Sequence, residues 1–403
     1  MKYLILIFFA LTMVSCNEHH SKKMQEGHWL GQLQVSADEK LPFNFEVTSA
    51  NSLKITNAQD VILVDEVTYK NDSVFIKMPV FDGYFAVNLT NEGMSGRFIN
   101  PTMNTDIPFE AVNHVKTRFK TDQPPGTDVT GNWEVLFSPK ADEESYIAKG
   151  VFKQTGEKVT GTFRTKTGDY RYLQGVVDGD QLKLSTFDGA HAYLFLATVK
   201  DNSLSGVFYS GNTWEASFSA DRNDDFELPD ANTLTTFNKD YERLEFSFPD
   251  ENGRLVSLED AQFKNKVVVV QLMGTWCPNC LDESIFFSDY AKNNSDKAVQ
   301  FVALAFENAK TDSLAFASIK RLKDRLGIQY PVLLAQHGTS DKLEAQKKMP
   351  MLNEVVSYPT TVFIDKRGQV RKIHTGFNGP ATGEKYVAFK NEFSTFIDAL
   401  LAE

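Results

Sequence analysis

Cysteine is scarce in this chain, with three in 403 residues. A disulfide-stapled scaffold needs many more, so that class is excluded. Long apolar runs are also missing. The longest, residues 3–14, has twelve positions, whereas a membrane-spanning helix takes about 20. Positive charge is in deficit, with 42 Lys and Arg against 53 Asp and Glu, a net charge of −11. A surface of that sign repels phosphate backbones, which argues against nucleic acid as a partner. Charged residues at 24 % and hydrophobic residues at 42 % describe an ordinary globular chain rather than a disordered or collagen-like one. The length predicts two or three domains.

Lys2 and the apolar run behind it have the build of a secretory signal. Thr12-Met13-Val14-Ser15-Cys16 then resembles the lipobox of bacterial lipoproteins, with Met13 where leucine or a similar residue is usual. The resemblance implies a signal peptide over residues 1–16 and lipidation of Cys16. Without residues 1–16 the charge becomes 41 − 53 = −12, since only Lys2 is lost. Residues 17–26 are polar and read as a tether. His19 and His20 lie there without the cysteines or carboxylates that would complete a metal site, so no metal is expected. The expected location is the cell envelope, lipid-anchored, with the domains in the periplasm. Asn17 is not the aspartate that retains some lipoproteins in the inner membrane, which favours the outer one.

From residue 27 to about 221, apolar and polar residues alternate in short runs broken by Asn, Asp and Gly. Leu30-Gly31-Gln32-Leu33-Gln34-Val35 is one such run. This pattern predicts an all-β meander, sandwich or barrel. The region also repeats itself. Gly27-His28-Trp29 matches Gly131-Asn132-Trp133, and Phe81-Asp82-Gly83 matches Phe187-Asp188-Gly189. Gly96 in Met94-Ser95-Gly96-Arg97-Phe98 matches Gly206 in Leu204-Ser205-Gly206-Val207-Phe208. Two modules follow, over 27–120 and 127–222, joined by a loop containing Pro124-Pro125-Gly126. Whether they form two small barrels or one larger closed assembly stays open. Gly-x-Trp before an antiparallel meander is similar to the lipocalin pattern. Glycine at a tight bend and tryptophan as a core plug explain it equally, and a packed, ligand-free module is the expectation.

Residues 223–239 are polar and acidic and read as a linker. Residues 240–403 change character. A hairpin is predicted around Asp250-Glu251-Asn252-Gly253, and Val267-Val268-Val269-Val270-Gln271-Leu272-Met273 reads as a buried central strand. It leads into Gly274-Thr275-Trp276-Cys277-Pro278-Asn279-Cys280, followed by apolar residues at helical spacing. Strand, Cys-x-x-Cys and helix together make the geometry of a dithiol redox site. The spacing lets the two sulfurs bond. Cys277 at the helix start gains from unpaired N–H groups and the helix dipole, which favour a thiolate. Pro278 suits the first helical position, where its missing N–H costs nothing. A zinc site would need four ligands, and His337 and His374 are distant in sequence. Further helices are expected over 311–326 and 341–348.

These residues, with Ser357-Tyr358-Pro359-Thr360-Thr361, resemble the thioredoxin fold, specifically the TlpA/ResA-like exported thiol-disulfide oxidoreductases. The resemblance covers about residues 240–403. It implies that Pro359 follows a cis peptide facing the dithiol, that Trp276 belongs to the site, and that Glu283 is the family's carboxylate. Pro278-Asn279 is neither the thioredoxin dipeptide nor that of the strong oxidants. The expected function is a lipid-anchored reductase of protein disulfides working through Cys277 and Cys280, without a cofactor. Its partners would be protein disulfide substrates and an upstream membrane thiol donor. The competing reading is a binding or docking lipoprotein, with β modules that recognise a ligand or partner and a secondary thioredoxin domain. Asp282 and Glu283 near the dithiol, with no Lys or Arg before Lys292, point to a reducing potential.

Overall fold

The computed structural model describes residues 22–139 and 145–403. Cys16, His19 and His20 lie outside the described residues.

The N-terminal half forms two separate barrels. In the first, strands Gly27–Gln34, Lys40–Ser49 and Ser52–Asn57 run as an antiparallel meander on one side. Strands Ser73–Lys77, Tyr84–Leu89, Gly93–Asn100 and Thr105–Asn113 run on the other. Gly27–Gln34 pairs with Thr105–Asn113 at one seam. At the other seam the chain itself completes the ring. Asp60–Val64 pairs with Ser52–Asn57, and Glu66–Lys70 pairs with Ser73–Lys77, with only Asp65 between them. Alternation decides what faces inward: Trp29, Gly31 and Leu33 are buried while His28, Leu30 and Gln32 face out.

The second barrel repeats this plan with eight main strands: Gly131–Pro139, Tyr146–Thr155, Lys158–Thr165, Leu173–Asp178, Gln181–Phe187, Ala192–Lys200, Ser203–Ser210 and Trp214–Arg222. Here hydrogen-bonded ladders close the whole ring. The repeated residues occupy equivalent places. Trp29 and Trp133 each donate from Nε1 to the carbonyl four residues earlier, at 2.9 Å in both barrels. Gly27 and Gly131 open the two barrels at φ of 117° and 124°, a conformation that excludes other residues. Gly96 and Gly206 sit in the penultimate strands, where a Cβ would collide with the neighbouring strand's Ala86 and Leu196 carbonyls. Aromatic side chains fill both interiors. Phe43, Phe85, Phe98 and Phe109 pack in the first, and Phe137, Phe163, Phe195 and Phe208 in the second.

The repeated Phe-Asp-Gly loops meet between the barrels. Phe187 leaves the second barrel and enters the first, with ring centroids 4.8 Å from Phe43 and 4.9 Å from Phe98. The wholly buried Asn57 donates to the Phe187 carbonyl at 2.9 Å. Arg118, just before the join, is buried and spans both barrels through Asn44 and the Ser185 carbonyl.

Residues 223–239, read from sequence as a linker, are seated rather than loose. Glu227 pairs with Lys149 and Arg164 of the second barrel. The Ala231 carbonyl accepts from Thr375 N at 2.9 Å.

The C-terminal domain is a five-stranded sheet in the order Val332–Gln336, Val299–Phe306, Val267–Met273, Thr360–Ile364, Val370–Thr375. The first three run parallel and the last two antiparallel. Every residue of Val267–Met273 is buried, as its uninterrupted apolar run requires. The helices are α1 (Pro278–Asn293), α2 (Asp312–Leu326), α3 (Lys342–Lys348) and α4 (Glu384–Ala402). Thr311 and Asp341 cap α2 and α3. From α2, Arg321 and Arg325 reach the first barrel at its seam, pairing with Glu66 and with Asp65 and Glu66, respectively, at 2.6–2.7 Å.

Candidate active site

The central strand ends at Met273, and the chain turns through Gly274-Thr275-Trp276 into α1. Two anchors fix the turn. Trp276 Nε1 donates to the Phe306 carbonyl at 3.0 Å. Thr275 donates to Glu307 from N at 2.8 Å and from Oγ1 at 2.6 Å. Cys277 is the N-cap of α1, and its Sγ accepts from Cys280 N at 3.2 Å. Cys277 and Cys280 are joined as a disulfide, with Cα atoms 5.2 Å apart. Cys277 is 6 % exposed and Cys280 fully buried, so an approaching thiol or disulfide meets Cys277 first. The Tyr358–Pro359 peptide is cis, and the Tyr358 carbonyl lies 3.6 Å from Cys277 Sγ. Trp276 and Tyr358 pack edge to face at 5.9 Å. The structure thus brings Trp276, Cys277, Cys280, Glu283 and the Pro359 turn together around one helix end.

Glu283 is wholly buried one turn along from Cys280. Thr361 Oγ1 donates to Oε1 at 2.8 Å and Gln271 Nε2 to Oε2 at 2.9 Å. Burial outweighs these two neutral donors and pushes the carboxyl up to about 8. Glu307 is likewise raised to about 7 by burial, opposed by its bonds from Thr275. Sequence reasoning passed over Glu307. Its only signal was its place directly after the Val299–Phe306 strand, at the carboxyl edge where α/β sheets gather site residues.

Asp282, which the sequence placed only as an acidic residue near the dithiol, is buried, 3.1 Å from Arg171 of the second barrel. Burial raises its carboxyl to about 7, with Arg171 opposing. Arg171 also reaches Asp60 of the first barrel at 3.5 Å, so one guanidinium ties all three bodies together beside the redox helix. The helix with no cation of its own before Lys292 receives one from another domain.

Arg171 follows a short hairpin, in which Gly168–Asp169 folds back on Lys158–Thr165. That hairpin lies against the dithiol's surroundings. Gly168 bridges to Phe377, Ser357 Oγ donates to the Thr167 carbonyl at 3.4 Å, and Gly379 N donates to Asp169 at 2.6 Å. A Cβ on Gly168 would strike the Asn279 amide, inside the Cys-x-x-Cys turn. Between this hairpin, the barrel and the dithiol is a cavity of about 670 Å³ that includes Trp276, Cys277, Pro278 and Asn279 in its lining.

Residues 229–388 match the family model described as Redoxin. The thioredoxin-like protein YneN of Bacillus subtilis is 28 % identical over 132 residues, which is 33 % of this chain and 68 % of that protein. The thiol-disulfide oxidoreductase ResA of the same organism is 26 % identical over 131 residues, 32 % of this chain and 64 % of that protein. The chain therefore spans about two thirds of the length of these curated relatives. Among solved structures, a thiol:disulfide interchange protein of the thioredoxin family from Chlorobium tepidum is 23 % identical. It covers 37 % of this chain and 94 % of its own, with a TM-score of 0.27. The C-terminal part of the chain thus carries the Redoxin match and is similar to proteins named as thioredoxin-like and as thiol-disulfide oxidoreductases.

Proposed function

We propose that the protein is a reductase of protein disulfides in the cell envelope, working through Cys277 and Cys280. The observation that carries this is the paired cysteine at the start of α1, with one sulfur at the surface of a cavity and the other buried. In the reduced protein, the Cys277 thiolate attacks a substrate S–S bond. A Cys277–substrate bond forms, and the departing substrate sulfur takes a proton. Cys280 then attacks Cys277 Sγ, its proton passing to Glu283 in its ionised form, and the second substrate sulfur leaves as a thiolate and takes a proton. The substrate gains two electrons and the protein ends as the Cys277–Cys280 disulfide, to be reduced again by an upstream membrane thiol donor. A buried carboxyl raised to about 8 is a stronger base than an ordinary carboxylate, and its ionised fraction, which grows towards pH 8, can take the Cys280 proton.

Cys280→Ser should accumulate mixed disulfides with host proteins, and Cys277→Ser should trap none. Equal trapping by both would contradict the assignment. The tether belongs to the same proposal: the lipobox-like residues before Cys16 support lipidation there. Mass spectrometry of the mature N-terminus should find a lipid-modified Cys16, and an unmodified terminus elsewhere would exclude it.

A further inference from the structure

We propose that the second barrel completes the substrate cleft, which accepts an extended cystine-bearing polypeptide segment with an aromatic or apolar residue beside its cysteine. This rests on the exchange reaction proposed above and names its substrate class. Cys277 is 6 % exposed and lines the cavity it shares with the second barrel. The cavity's redox side carries Trp276, and its far wall is built from Tyr146, Ile147, His191 and Tyr193. That wall is preformed: His191 stacks on Tyr193 at 4.9 Å, and Tyr146 shares a 2.7 Å hydroxyl contact with Tyr170. Ile147 is a large aliphatic residue left 41 % exposed, and it faces this space.

Size and chemistry then select the occupant. A cavity of about 670 Å³ is in the range that encloses a ligand of a few residues. A rigid folded loop carrying a disulfide needs clearance on every side of the sulfur, and the hairpin after Thr165 removes one side. An extended chain is thin, advances about 3.3 Å per residue and alternates its side chains. With its sulfur at Cys277, the neighbouring side chain falls beside Trp276 or against the barrel wall. Aromatic walls reward an aromatic or apolar side chain there. The reaction is unchanged: the segment's S–S bond breaks as its bond to Cys277 forms, and the released thiolate takes a proton.

The test uses the full chain and two synthetic probes, disulfide-linked dimers of one short peptide with either Phe or Ser after the cysteine. The reduced wild type should show kcat/KM about tenfold higher for the Phe dimer. Ile147→Asp should bring that ratio to within about threefold, through KM for the Phe dimer. In Cys280→Ser, a mixed disulfide with a peptide carrying benzoylphenylalanine in place of Phe should photo-cross-link to residues 145–147 or 191–193. Equal kcat/KM for both dimers in the wild type, an Ile147→Asp ratio still near tenfold, or cross-links confined to residues 229–403, would each overturn the cleft assignment while leaving the exchange reaction standing. Failure of Cys280→Ser to form any mixed disulfide would instead overturn the exchange reaction, and the cleft with it.

Discussion

Glu283 links the exchange reaction proposed above to the stability of this domain. Thr361 and Gln271 hold it through neutral hydrogen bonds, and burial keeps its proton on at neutral pH. Glu283→Gln keeps the shape and can still hydrogen-bond, but it cannot carry a proton to or from Cys280. Disulfide reduction by the variant should fall roughly 100-fold, the lower end of what a positioned acid–base group supplies. The inflection near pH 8 should vanish from the rate profile. An unchanged rate and profile would assign Glu283 a purely structural part. The same group makes stability depend on pH. Its folded-state value of about 8 lies above the ordinary 4.5. The unfolded chain therefore releases the proton first, and stability declines as pH rises from 4.5 towards 8. Asp282 and Glu307, both raised to about 7, act in the same direction. His374, lowered to about 4 by burial, acts in the opposite direction, but only below its ordinary 6.5. Between pH 6.5 and 8 the carboxyls act unopposed by it. Urea unfolding of the oxidised protein should show a loss of roughly 1–3 kcal/mol across that window, at up to about 1.4 kcal/mol per group per pH unit. Glu283→Gln should flatten part of the slope. A level wild-type curve would mean that these carboxyls are already ionised at pH 6.5.

At the scale of elements, the sequence was informative wherever the pattern is local. Seven consecutive apolar or amide residues from Val267 could only be a central strand. The helices expected over 311–326 and 341–348 form, and Thr311 and Asp341 cap them through contacts within one turn. The repeat was legible because equal positions carry equal burdens: Trp29 and Trp133 plug their barrels, and Gly96 and Gly206 sit under a neighbouring carbonyl. What stayed hidden was contact between elements far apart in the chain. Thr165-Lys166-Thr167-Gly168-Asp169 reads as an ordinary turn, and nothing local says that it rests on Asn279 and Phe377. Asp282 reads only as an acidic residue near the dithiol until Arg171, 111 residues earlier, is placed 3.1 Å from it. Two barrels rather than one followed from which strands close each ring, a choice that alternation does not make. Spacing thus located the dithiol and its helix but not the wall facing them.

At the scale of the whole molecule, the barrels pack around the dithiol's surroundings and hold their geometry. The Phe-Asp-Gly repeat shows how. Phe81 is buried at the joint, beside Gly189 of the second barrel, and Asp82 meets Ser318 of α2 at 3.2 Å. Its counterpart Phe187 crosses into the first barrel, among Phe43, Phe85 and Phe98. Contacts therefore pass from the second barrel to the first, and from the first to the thioredoxin-like domain through Asp65, Glu66 and Asp82. The second barrel also returns directly to α1 through Arg171. This closed circuit sets how far the hairpin after Thr165 stands from Cys277. Phe187→Ala removes a fully buried ring from the joint between the barrels. A deletion of that kind costs roughly 3–5 kcal/mol, through lost burial and the cavity left behind. The position predicts more than lower stability. Without the plug the second barrel loses its largest apolar anchor in the first and keeps mainly polar contacts such as those of Arg118 and Asn57, so it should swing from the dithiol more often. The reduced variant should therefore alkylate at Cys277 several-fold faster than wild type, at temperatures well below its unfolding midpoint. Phe45→Ala, inside the first barrel beside Trp29, should lower stability without that acceleration. Equal acceleration in the two variants would show that general loosening, rather than the joint between the barrels, controls access to the sulfur.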